Sequence, residues 1–212
     1  MKKIKRLFLI VAFAAMGALC MTACASTPNG DKKPTSVTDS IYEISVDASK
    51  VSVDASDISV YIYSSDGMTE LAKKKLSQGK AQFELDDGSY VATLGGLPQE
   101  VSYSSVLLTK NGRKAKVTLE TSKYDRFSEE YSFAFTIIMF PGDRDVGELD
   151  VQVCDDSVCR FALFTDGNVA DVSLNVGDYV VKVGIYTDDG LEELYHENCT
   201  VTLDRRFCVV AL

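Results

Sequence analysis

Phe83-Glu-Leu-Asp-Asp-Gly88-Ser-Tyr90-Val91-Ala-Thr-Leu-Gly95 is echoed 89 residues later by Val172-Ser-Leu-Asn-Val-Gly177-Asp-Tyr179-Val180-Val-Lys-Val-Gly184. In each copy an apolar stretch runs into a glycine and resumes at Tyr-Val. Glycine takes positive φ freely, and Tyr and Val suit a half-buried pleated surface. Each copy therefore predicts a hairpin, with its turn at Gly88 or Gly177 and its second strand opened by Tyr90 or Tyr179. A hairpin recurring at nearly a domain's length predicts two copies of one small β-domain within the 212 residues.

The flanking sequence is β throughout. Ile58-Ser-Val-Tyr-Ile-Tyr63 alternates, with Ile58, Val60 and Ile62 on one face and Tyr61 and Tyr63 on the other. Asn111-Gly112, between Val101–Thr109 and Arg113–Leu119, carries the strongest short hairpin signal. Lys73-Lys74-Lys75 fits a solvated edge strand better than an anion site, because only alternate strand residues share a face. The polar stretch from Ser122 to Glu130 marks a boundary. Tyr131-Ser-Phe-Ala-Phe-Thr-Ile-Ile-Met-Phe140 follows, apolar on both faces. No segment has a 3.6-residue apolar period. The prediction is all-β: two tandem small antiparallel β-sandwiches, residues 41–122 and 123–212.

Each repeat runs as an apolar strand (Val60-Tyr-Ile-Tyr, Val151-Gln-Val-Cys), a glycine four or five residues ahead of an apolar one (Gly79 and Phe83, Gly167 and Val172), then Leu-x-x-Gly-x-Tyr-Val. This order resembles the transthyretin-like (prealbumin-like, Ig-like) sandwiches, including the B-type repeats of collagen adhesins. The resemblance covers most of residues 41–212 and implies a stalk, spacer or binding platform.

Ahead of the repeats, Lys2, Lys3, Lys5 and Arg6 precede the apolar run Leu7–Leu19, which is shorter than the roughly 20 residues a spanning helix needs. This pattern predicts an export signal over residues 1–23. Met21-Thr22-Ala23-Cys24 resembles the bacterial lipobox, which implies diacylglycerol on Cys24 and membrane anchoring by that lipid. Plain cleavage at Ala23-x-Ala25 would instead release a soluble protein. Residues 24–40 carry no periodic pattern and read as a flexible tether.

The leader holds four of the 22 basic residues and none of the 31 acidic ones. The remainder thus carries 18 against 31, a net charge of −13. Such a surface repels phosphate backbones and argues against nucleic acid as a partner.

Cys154, Cys159, Cys199 and Cys208 all lie in the second repeat, an even number in a chain read as exported. Three pairings are open. A two-residue turn at Asp156-Ser157 would set Cys154 opposite Cys159 within disulfide range, which leaves Cys199 with Cys208. Their spacings do not suit zinc.

Catalytic chemistry finds little footing. His196 is the chain's single histidine, no serine lies in a Gly-x-Ser-x-Gly turn, and no phosphate-cradling loop is present. The acidic turns at Asp86-Asp87, Asp143–Asp145, Asp155-Asp156 and Asp188-Asp189 match no EF-hand loop, and Asp is itself a preferred turn residue. Tyr61, Tyr63, Tyr103 and Tyr131 are candidates for an aromatic patch, although the chain has no tryptophan. The expectation is a non-enzymatic, lipid-anchored cell-envelope protein without cofactor or metal, serving as a structural or protein-binding module. Its partner would be an envelope protein or a glycan. The alternative is a carbohydrate-binding surface lipoprotein.

Overall fold

The computed structural model describes residues 40–212. The leader, Cys24 and all but the last residue of the tether lie outside the described residues. Among the described residues nine strands precede residue 122: β1 Ser40–Asp47, β2 Ser59–Tyr63, β3 Glu70–Lys75, β4 Lys80–Leu85, β5 Tyr90–Gly95, β6 Val101–Ser102, β7 Val106–Leu108, β8 Lys114–Thr118 and β9 Glu120–Thr121. Nine follow it: β10 Lys123–Asp125, β11 Glu130–Phe140, β12 Asp150–Cys154, β13 Cys159–Phe161, β14 Leu163–Asp166, β15 Val169–Leu174, β16 Gly177–Thr187, β17 Gly190–Val201 and β18 Phe207–Ala211.

The two sets pair alike. In the first, sheet β4-β1-β8 faces sheet β3-β2-β5-β7. In the second, β15 and β18 flank β11 as β4 and β8 flank β1, with β14 and β10 added, and β13-β12-β16-β17 repeats the other order. Even the exception to antiparallel pairing recurs. β1 runs parallel to β8, and β11 runs parallel to β18. Ahead of the second strand of each set stands a single 3-10 turn, Ala55–Asp57 or Val146–Glu148. Asp54 caps the first by accepting from Ser56 N at 2.8 Å, and Asp145 caps the other from Gly147 N at 2.9 Å.

Apolar alternation sets the cores. Ile58, Val60 and Ile62 enter a first cluster with Tyr42, Phe83 and Leu94. Phe133, Phe135, Ile137 and Met139 enter a second with Val151 and Val181. β11 and β5 are buried on both faces, because Ile138 and Val91 point outward into a third, smaller cluster with Phe207. That continuous burial is why neither strand reads as a clean polar–apolar alternation.

The Gly-x-Tyr segments correct the sequence reading. β4 pairs with β1 whereas β5 pairs with β2, so the chain changes sheets at Gly88 and forms no hairpin there. The same holds at Gly177, between β15 and β16. Neither glycine has a positive φ. What each makes room for is the tyrosine ring two residues on. A β-carbon at Gly88 would lie 3.1 Å from Tyr90 Oη, and one at Gly177 would lie 3.4 Å from Tyr179 Cε2.

Each ring folds back so that its hydroxyl donates to a carbonyl four residues upstream, Tyr90 to Asp86 O at 2.8 Å and Tyr179 to Asn175 O at 3.2 Å. These are tyrosine corners, which tie the arriving strand of one sheet to the departing strand of the other. Tyr90→Phe and Tyr179→Phe should each lose about 1 kcal/mol in urea unfolding. A loss of less than a few tenths would show that the hydroxyls contribute nothing.

Asn111-Gly112 differs in the same way. Thr109 and Gly112 exchange backbone hydrogen bonds at 3.2 and 3.0 Å, so the tight turn exists. Its arms then diverge, β7 to β5 and β8 to β1.

Candidate functional site

The most elaborately built place in the molecule is the seam where the two sets of strands meet. Its apolar part is the third cluster, where Val91, Tyr63 and Leu107 of the first set meet Ile138, Phe140 and Phe207 of the second. The turn after β2 presses into the same seam. Gly67 there has φ +70° and lies so close to β18 that a β-carbon would sit 2.8 Å from Val209 Cγ2. Arg205 donates to the Gly67 carbonyl at 3.2 Å.

The polar part runs between β6 and β7. Ser102 Oγ accepts from Ala134 N at 2.8 Å, and Ser105 N donates to Thr136 Oγ1 at 2.9 Å. Thr136 in turn donates to Asp171, whose second oxygen takes the Ser104 hydroxyl, each at 2.8 Å. These paired groups satisfy the polar backbone that the seam buries.

Arg206 closes it. Its side chain is fully buried, 0% exposed. Nη1 donates to Val101 O, Nη2 reaches Pro98 O at 3.4 Å, and Nε donates to Leu203 O at 3.0 Å. The guanidinium lies 4.2 Å from the Phe133 ring centre and 5.2 Å from that of Tyr103. Carbonyl oxygens and ring faces therefore stand where a carboxylate counter-ion is usual. Burial lowers the pKa of this group from its ordinary value, while Tyr103 and Asp204 oppose that shift.

The residues singled out in the sequence do not converge on one site. Tyr103 is buried, with its hydroxyl bonded to Thr93 and to the backbone of Leu94. Tyr61 lies under Lys73 Nζ at 4.5 Å, Tyr63 meets Phe207 as a tilted ring pair at 5.2 Å, and Tyr131 meets Tyr124 likewise at 4.7 Å. Tyr61 and Tyr63 remain neighbours on one face of β2, whereas Tyr103 is buried and Tyr131 lies on β11, so the four do not gather into one patch. Lys73, Lys74 and Lys75 lie on the edge strand β3, where Lys74 donates to Gln82 O at 2.6 Å. His196 is exposed on β17 and bonds Glu193 at 2.7 Å, a carboxylate that also holds Lys182 at 2.8 Å.

Several acidic turn residues bond within or beside their own turns. Asp155 accepts from Ser157 N and Val158 N and from Arg160, all at 2.8 Å, and these donors depress its carboxyl to about 2. Asp87 accepts from Ser40 and Arg113. Among the described residues no group of three or more His, Cys, Asp or Glu side chains is placed to hold a metal ion.

The cysteines separate into two kinds. Cys154 and Cys159 stand opposite each other on β12 and β13 and are joined as a disulfide. Cys199 and Cys208 are not bridged. They belong to opposite sheets, β17 and β18, and both line one cavity. The expected second disulfide is thus absent, and both cysteines are free thiols on the wall of that cavity.

No protein-family model matches the sequence, and a search of curated proteins finds no relative. Solved structures give distant likenesses. The Bacillus anthracis TIE protein is 16% identical over 81% of this chain and 33% of its own, with a TM-score of 0.30. A protein described as a putative adhesin from Bacteroides ovatus is 10% identical over 82% of this chain and 89% of its own, also at 0.30. The streptococcal ancillary pilin is 9% identical over 84% and 62%, at 0.26. The chain thus spans about one third of the TIE protein. Likenesses this low carry no argument about what the chain does.

Proposed function

We propose that this chain is a non-enzymatic module of the cell envelope, lipid-anchored through Cys24, in which two sandwiches form one stiff spacer or protein-binding platform. The observation that supports this reading most is the seam. A buried arginine, a shared apolar cluster and a paired polar strip fix one sandwich against the other. Rigidity of that kind serves a part that must hold a distance or present a surface. The single histidine is exposed and already engaged with Glu193, which leaves it poorly placed to activate a nucleophile. Tyr103 is buried, and Tyr61 and Tyr63 are engaged with Lys73 and Phe207, so the four do not form one open aromatic platform, which favours a protein partner over a glycan.

Two measurements test the reading. Mass spectrometry of the mature N-terminus is expected to find acylated Cys24, and Cys24→Ala is expected to release the protein from membranes. A free N-terminus at Ser26 would refute the anchor. On a glycan array, residues 40–212 are expected to bind nothing. Saturable binding to one glycan class would replace the spacer reading with the carbohydrate one.

A further inference from the structure

Cys199 and Cys208 line a cavity of about 420 Å³ together with Arg205, Tyr195, Phe207 and Met68. Both residues are half-buried, pack against the second core and contribute to the wall of that cavity. Their strands are joined only through the short turn in which Thr202 N donates to Arg205 O at 3.2 Å. β17 is the edge of sheet β13-β12-β16-β17, whereas β18 lies beside β11 in the opposing sheet. A bond between the two sulfurs would therefore cross from sheet to sheet, where the Cys154–Cys159 bond stays within one hairpin.

We propose that Cys199 and Cys208 form a reversible dithiol–disulfide pair that exchanges with small disulfides through this cavity and, when closed, staples the two sheets of the second sandwich. This goes beyond cysteine parity, which treats the pair as a static bridge. The two side chains line the same cavity and pack against the same core from facing sheets, which is the placement a sheet-to-sheet disulfide with sulfurs about 2.05 Å apart requires.

The two sulfurs are unequal. The neighbouring Cys208 side chain holds Cys199 below its ordinary value, while Cys199 and burial push Cys208 up against the pull of Arg205, so Cys199 is the better thiolate. Cys199 then attacks one sulfur of a disulfide RS–SR and expels RS⁻, which leaves a mixed disulfide. Cys208 gives up its proton and attacks the Cys199 sulfur, expelling the second RS⁻. Two protein thiols and RS–SR become one protein disulfide and two RSH, with two electrons passed to the small disulfide.

Incubation of the purified protein with oxidised glutathione, followed by peptide mapping, tests this. The expected result is a Cys199–Cys208 cross-link that excess reduced glutathione reopens while Cys154–Cys159 persists. Closure should raise the thermal midpoint of the wild type and not of Cys199→Ser. In Cys208→Ser, glutathione should accumulate on Cys199. In Cys199→Ser, it should reach Cys208 about tenfold more slowly or worse, since the thiolate is the attacking form. Wild-type thiols that stay unmodified, or that each carry glutathione without a cross-link, would overturn the pairing. A cross-link that reduced glutathione cannot reopen would overturn its reversibility, and equal labelling of the two single variants would overturn the assigned order of attack.

Discussion

Arg206→Ala should cost about 3 kcal/mol or more in urea unfolding, because it strips donors from buried carbonyls and leaves a void between two rings. Val101 O and Pro98 O belong to the first sandwich, Leu203 O and Phe133 to the second, so the loss falls on the seam. Two further variants separate the causes. Arg206→Met keeps much of the packing but offers the carbonyls nothing. Arg206→Lys keeps a charge but lacks the planar fork that reaches several acceptors at once. If the fork matters, both should remain well below wild type. The wild type should also unfold in one transition, while Arg206→Ala should show two as the sandwiches uncouple. A loss under about 1 kcal/mol with a single sharp transition would mean that the apolar cluster alone holds the seam.

Nothing in the sequence announces this role. Leu203-Asp-Arg-Arg-Phe207 looks like a solvated turn, and Arg205 and Arg206 look alike within it. One lies against Gly67 at the edge of the seam and the other is wholly enclosed, because enclosure comes from the other sandwich and not from neighbours in sequence. The same limit explains the tyrosine corners. Alternation around Tyr90 and Tyr179 marks strands and their faces but does not name the partner strand, so a change of sheet reads as a hairpin. The carbonyl four residues upstream is a backbone group and leaves no trace in residue type.

What was legible was local. Ile58, Val60 and Ile62 are buried as their period of two requires. Cys154 and Cys159 stand in register across a turn that Asp155 itself organises. Cys199 and Cys208 were paired only by exclusion, and they are free, since they lie on two sheets and share no hairpin register.

The repeat's closing glycines give the second large effect, and the two copies should respond unequally. Gly95 and Gly184 each fall seven residues after the corner glycine. A β-carbon at Gly95 would approach Tyr61 Cε2 at 2.6 Å, the far end of a side chain over which Lys73 lies on an exposed edge. That ring can swing aside. At Gly184 the β-carbon would fall 2.1 Å from the carbonyl oxygen of Glu192 and 2.8 Å from its carbon. Here the obstacle is backbone, held where the β16–β17 ladder shifts register between Val183 and Gly184, so that Leu194 is passed over between Tyr195 and Glu193. Relief would require opening the ladder beside this bulge, where close backbone approach is what glycine permits. Gly184→Ala should therefore cost about 2–3 kcal/mol, and Gly95→Ala about 1 kcal/mol or less. Hydrogen exchange should locate the loss, with faster exchange along Gly190–Val201 in Gly184→Ala and little change along Ser59–Tyr63 in Gly95→Ala. Equal costs at the two sites would show that the bulge yields as readily as a surface ring, and the second sandwich would then owe its long edge strand to side-chain packing instead of to the ladder.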